Sequence, residues 1–150
     1  MKNLFVLLVT SLFISSVSAH PQDNLSPEEV MHYYAKVVNE ENLNALQDVY
    51  CFPHTKQMSG RLTVVEDKSI PVIDFDSLKK SGWKYSKVNS VKVLAEGDSA
   101  ALVELNFSRF NAEDKEFLKQ NGFYYLTKNT GYWQIMSIIY TGSLAGVKAK

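Results

Sequence analysis

The order of its predicted elements makes this chain an α+β domain. Two observations carry that expectation. Two short amphipathic helices open the ordered part of the sequence, and from Trp83 onward the pattern is almost wholly that of strands joined by tight turns. Between them lie one strand and one further helix.

The first helix is announced by Ser26-Pro27-Glu28-Glu29. Ser26 suits the N-cap, Pro27 the first helical position, and Glu29 completes a capping box, with Leu25 and Val30 placed as a hydrophobic staple. Val30, Tyr33, Tyr34, Val37 and Val38 then form one apolar stripe at helical spacing. After Asn39–Asn42, a second helix carries Leu43, Leu46, Val49 and Tyr50, and Pro53 is expected to stop it. Residues 52–59 read as a loop and 60–66 as the first strand, with Leu62 and Val64 on one face. A helix is expected over 69–81, closed by Gly82.

The strands follow. Residues 83–96 form a long strand whose alternation changes phase near Val88, the mark of a bulge. Gly97-Asp98 turns into 99–110, where Ala101, Val103, Leu105 and Phe107 share a face. Residues 111–121 read as a polar connection, and 123–128 with 132–140 as a last hairpin about Asn129-Thr130-Gly131. The strands are apolar on both sides: Trp133, Ile135 and Ile139 are interleaved with Met136, Ile138 and Tyr140. A sheet with one wet face alternates with polar residues. Both faces are therefore expected to be covered, one by helices and the other by a second copy in a homodimer.

The N-terminus carries a different kind of signal. Lys2, the apolar run Leu4–Ile14, and small residues ending in Val17-Ser18-Ala19 have the form of a secretory signal peptide cleaved after Ala19. A membrane span needs about 20 apolar residues, so the run is short for an anchor. Residues 1–19 are thus expected to be removed, 20–25 to be a polar lead-in, 26–141 the domain, and 142–150 a flexible tail. The destination is the periplasm or the exterior. Cys51 is the one cysteine, so no internal disulfide forms, and a small buried hydrophobe is its expected role.

Sixteen basic residues balance sixteen acidic ones, which argues against a nucleic-acid partner. No polybasic run suggests a membrane surface. No phosphate-cradling glycine loop is present, and an exported protein has no supply of cytoplasmic nucleotides, so no cofactor is expected. His20 would be the mature N-terminus, where its amine and imidazole can chelate copper. The only other histidines are His32 and His54, whose spacing specifies no site, and no metal is expected.

Taken in order, Asn42-Leu43-Asn44-Ala45-Leu46 leading to Tyr50, Phe52-Pro53-His54, Gly82-Trp83, Glu96-Gly97-Asp98-Ser99-Ala100 and Gly131-Tyr132-Trp133-Gln134-Ile135 resemble the nuclear-transport-factor-2-like (NTF2-like) superfamily, in its SnoaL-like and ketosteroid-isomerase-like branch. The resemblance spans about Ser26 to Thr141. It implies a conical α+β barrel, a curved antiparallel sheet wrapped around the N-terminal helices, with a pocket at the open end. Such folds host isomerases, cyclases, dehydratases and plain binding modules.

His54 is the candidate catalytic residue. The resemblance puts it at the pocket mouth, and imidazole is the natural acid–base group near neutral pH. A loop histidine bonded to backbone is the alternative. Its acid partners would be Asp48, Glu66 or Glu104, none specified by spacing. Tyr33, Tyr34, Tyr50, Trp83, Phe107 and Trp133 are candidate ligand-binding residues, since aromatic walls with a few hydroxyls suit small, partly apolar molecules. Any of them also serves as core. Arg61 is a candidate for pairing an anion, or a solvent-facing strand residue. The expected function is binding of a small, partly apolar molecule. The alternatives are a cofactor-free isomerase, cyclase or dehydratase using His54, and a non-catalytic assembly module.

Overall fold

A computed structural model describes residues 20–141. The expected signal peptide and tail lie outside the described residues. Helix α1 (Pro27–Asn39) begins as its sequence dictates: the Ser26 backbone N–H donates to Glu29 Oε2 at 2.8 Å, and Ser26 Oγ accepts from the Glu29 N–H at 3.3 Å. It buries Val30, Met31, Tyr34, Val37 and Val38. Helix α2 (Leu43–Val49) is capped by Asn42, whose Oδ1 accepts from the Ala45 N–H at 3.1 Å.

The chain then passes directly into strand β1 (Tyr50–Met58), where a loop was expected. Pro53 supplies no N–H, yet it sits where the pairing of β1 with its neighbour is interrupted, between Tyr50 and Thr55, so no ladder bond is lost. Ser59 and Gly60, both at positive φ, turn β1 into β2 (Arg61–Val65). The next helix, α3 (Phe75–Lys80), is half the expected length. Pro71 interrupts the earlier part, and Asp74 starts the helix by accepting from the Ser77 N–H at 3.0 Å. Gly82, at φ +94°, ends this segment as anticipated.

Strands β3 (Tyr85–Glu96), β4 (Ala100–Phe110), β5 (Glu116–Thr127) and β6 (Gln134–Tyr140) complete the fold. The register of β3 slips between Val88 and Ser90, where the change of phase was seen in the sequence. Strand β5 starts at Glu116, inside the stretch expected to be a polar connection. Asn121 and Lys119 pair with Asn106 and Ser108 of β4, so polar side chains on one face disguised a ladder strand as loop.

The six strands form one sheet in the order β2-β1-β6-β5-β4-β3. The expected conical barrel is not formed. β2 and β3 are the two free edges of an open sheet that neither closes nor curls around the helices. The sheet is also mixed rather than antiparallel, because β1 runs parallel to β6. Closure would require the edges to pair. Here β2 is only five residues long, and the chain leaves it for the opposite edge through residues 66–84, a crossover that carries α3 over one face. The same face packs α1 against β3 and β4, and α2 against β1 and β6. Val103, Leu105, Tyr124, Leu126, Ile135 and Ile138 supply the sheet's side of that core.

Candidate functional site

The helix-facing side of the sheet is not filled along its whole length. In β4, Ala101, Val103, Leu105 and Phe107 are buried, and the next residue of the stripe is Arg109. In β1 the equivalent positions are His54, Lys56 and Met58. Between them stand Ile138 and Tyr140 of β6 and Gln120 of β5. The crossover lies opposite, contributing Val72, Ile73, Asp74, Ser77, Leu78 and Ser81. These residues enclose a cleft of about 340 Å³. A narrower apolar recess walled by Val38, Val88, Leu105 and Phe107 continues from it, sharing Tyr34, Ile73, Arg109 and Tyr140.

Gly122 makes room for two of the tyrosine rings beside the cleft. A Cβ at this position would stand 2.8 Å from Tyr124 Cε2 and 3.0 Å from Tyr140 Cε1. Without it the Tyr140 ring lies over the strand, edge-on to Tyr124 at 6.4 Å, with the two hydroxyls 3.3 Å apart. Tyr34 reaches the same group from α1, 6.0 Å from Tyr50 and 5.8 Å from Tyr124. Burial raises all four phenol pKa values, so the group presents neutral hydroxyls at neutral pH.

His54 lies in the wall of the cleft and is 2% exposed. Its Nδ1 is 3.1 Å from the Met136 carbonyl. A carbonyl only accepts, so Nδ1 carries the proton and Nε2 the lone pair. The carbonyl is free because Met136 is the extra residue of a bulge: Leu126 pairs with Ile135, but Tyr125 pairs with Ser137. That bulge also explains how Ile135 and Ile138 are both buried. The imidazole packs on Tyr50 at 4.4 Å. Burial, reinforced by the nearby Lys56 ammonium, lowers its pKa to about 4. It is a neutral, backbone-anchored ring at neutral pH, with no carboxylate bonded to it among the described residues.

The charged lining is Lys56, Arg109 and Asp74. Asp74 is engaged as the α3 cap, with its second oxygen accepting from Ser77 Oγ at 2.6 Å. The ion pairs among the described residues are Lys36–Glu40, Lys68–Asp48 and Lys79–Glu41, so neither Lys56 nor Arg109 belongs to one. Arg109 places its guanidinium 5.6 Å from the Phe107 ring centre, and its Nε is buried without a hydrogen-bond partner. The Lys56 ammonium pKa is lowered by burial and by the Arg109 charge.

Of the residues singled out from sequence, His54, Tyr34 and Tyr50 line the cleft and Phe107 the recess. Tyr33 is half-buried on α1, outside both. Trp83 is core, tilted against Phe75 at 6.1 Å and donating from Nε1 to Ser86 Oγ at 2.9 Å. Trp133 is buried elsewhere, and its carbonyl accepts from Gln22 Nε2 at 2.7 Å. Asp48 pairs with Lys68, Glu104 accepts from Asn121 Nδ2 at 2.9 Å on the opposite face, and Glu66 and Arg61 are exposed. Cys51 is half-buried rather than a core residue. His32 is exposed, and His20 stacks on Tyr132 at 4.0 Å. Among the described residues no three His, Cys, Asp or Glu side chains gather as metal ligands, and no helix is long and apolar enough to cross a membrane. Sequence reasoning missed Lys56, Arg109 and Tyr140. For Arg109 the signal was present: it continues the alternation of Ala101, Val103, Leu105 and Phe107.

Residues 27–143 match the model of a family described as NTF2-like protein (DUF6841). The chain belongs to this NTF2-like family. No curated protein matches it in sequence. Solved structures share its fold. One is an NTF2-like protein with a cystatin-like fold from Novosphingobium aromaticivorans, with a TM-score of 0.62 and 12% identity over 79% of this chain and 80% of that one. A putative aromatic ring hydroxylase from the same organism has a TM-score of 0.59 and 14% identity over 82% and 90%. A putative calcium/calmodulin dependent protein kinase II association domain from Xanthomonas campestris has a TM-score of 0.59 and 14% identity over 87% and 95%. At such identities the likeness is one of fold.

Proposed function

We propose that this NTF2-like domain is a binding module for a small, partly apolar molecule held between the sheet and the α3 crossover. The cleft of about 340 Å³ carries this reading: it is bounded by aliphatic side chains and tyrosine rings, with a few polar groups converging on it. His54 supports binding over proton transfer. Its pKa of about 4 makes it a weak base, and its Nδ1 proton is held by the Met136 carbonyl. The likeness to the SnoaL-like and ketosteroid-isomerase-like branch contributes the expectation of a pocket and no catalytic residue.

The test is a thermal-shift screen of small apolar molecules against the protein and its Ser81→Trp variant, which puts an indole into the cleft from an exposed position. Ligand binding raises the melting temperature by mass action. Compounds that stabilise the parent and not the variant are the expected result. Equal stabilisation of both, or none of either, overturns the proposal.

Export to the periplasm or exterior is part of this reading, supported by the signal-like pattern of residues 1–19. Cleavage after Ala19 would retain the packed lead-in, in which Gln22 is fully buried. N-terminal sequencing of the secreted product should begin at His20; a product that keeps Met1 removes this part.

Assembly as a homodimer rests on the sheet's other face. There Leu102 lies beside Tyr125 and Phe123 beside Ile139, and Leu102, Tyr125 and Ile139 are 36%, 41% and 43% exposed. Sedimentation should give a dimer that Tyr125→Asp dissociates, whereas a monomeric parent protein refutes it.

A further inference from the structure

The geometry points to a carboxylate as the polar end of the molecule this cleft takes, with Arg109 and Lys56 as the pair that receives it. The inference rests on the binding reading above and names the class of ligand: a small apolar monocarboxylate.

Two cations face one half-buried space in which Asp74 is the one acid among the lining residues. Lys56 comes from β1 and Arg109 from β4, so β6 and β5 lie between their backbones. The Tyr140 ring lies over Gly122 on that intervening floor, and both cations line the same cleft beside it. Arg109 is the stronger anchor. Phe107 supports its guanidinium, and its buried Nε has no acceptor, a cost that a bound oxygen would remove. A planar guanidinium matches a carboxylate in a two-point contact.

The charge balance of the lining suits one negative charge. Lys56 and Arg109 are cationic, Asp74 is anionic, and His54 is neutral at neutral pH. Asp74 caps α3 through Ser77 and forms no ion pair with either cation among the described residues, and its charge offsets only one of the two. A single carboxylate brings the lining close to neutrality, whereas a doubly charged phosphate would overshoot. The rest of the ligand meets Ile73, Leu78, Ile138 and the tyrosine rings, which favour an apolar body.

Calorimetric titration with 2-naphthoate and with its uncharged isostere 2-naphthamide tests this. The parent protein should bind the carboxylate about tenfold more tightly than the amide, the preference expected of one charge-assisted contact. Arg109→Gln and Lys56→Gln should each bring the acid-to-amide affinity ratio most of the way to one. Rising ionic strength should weaken only the carboxylate, a check that needs no variant. Equal affinity for acid and amide overturns the carboxylate inference and leaves the binding reading standing. Failure of both to bind removes the two together.

Discussion

Two ends of one sheet face behave differently, and the contrast explains the molecule. At one end Val103, Leu126 and Ile135 pack against Val30 and Leu46, all fully buried. At the other the same strands present His54, Lys56, Arg109 and Tyr140, and the helices retreat enough to leave a cleft. Strand β4 runs through both, passing from Ala101 and Val103 to Arg109 on one stripe. A dry aliphatic end stabilises the domain by removing apolar surface from water, so the opposite end can hold desolvated cations and hydroxyls. The α3 crossover decides where one regime gives way to the other, because it spans the sheet between its two free edges.

Substitutions should separate the two ends. The largest effect belongs to the dry end: Leu126→Ala should cost about 3 kcal/mol, a drop of about 10 °C in melting temperature. Arg109→Gln should move it by less than about 1 kcal/mol, since it loses only its contact with the Phe107 ring and no ion pair. Comparable losses in denaturant titration would erase the distinction. Gly122→Ala sits at the boundary. Its methyl group would collide with the Tyr124 and Tyr140 rings, and both rings, Tyr124 being fully buried, would have to shift beside the cleft. A cost of about 2 kcal/mol is expected, together with weaker 2-naphthoate binding. A variant as stable as the parent would show that the rings yield freely.

The last effect is a pH dependence. His54 has a folded pKa of about 4 against an ordinary 6.5. Between these values the unfolded chain binds the extra proton, so its neutral burial stabilises fully above about pH 6.5 and progressively less as pH falls toward 4. Melting temperature should decline through that window, and His54→Phe should flatten the decline by about 5 °C. Parallel curves for the two proteins would mean that His54 does not titrate there.

Local chemistry was legible in advance. The Ser26–Glu29 capping box, the stop at Gly82 and the phase change near Val88 each depend on residues close in sequence, and each is found where it was expected. Long-range compensation was not legible. Pro53 read as a loop because nothing nearby reveals that β1 needs no ladder bond at that point. Asn121 and Lys119 read as a connection because their partners on β4 lie across a turn.

The cleft divides in the same way. Tyr34 could be named from its place on the apolar stripe of α1, whereas Tyr50, expected on the second helix, reaches the cleft as the first residue of β1, and Tyr33, Trp83 and Trp133 match them in chemistry but point elsewhere. Lys56 and Arg109 stand far apart in the chain and three strands apart in the sheet, and only the order β1-β6-β5-β4 brings them to one cleft. The sequence by itself determined the helices, the turns, most of the strands and the α+β class, because capping, periodicity and turn chemistry act over a few residues. The tertiary structure alone decided that the sheet stays open rather than closing as a barrel, and that β1 joins it parallel to β6. It also decided which polar groups share the cleft. Edge pairing and convergence across strands are properties of the assembled sheet, and no local pattern encodes them.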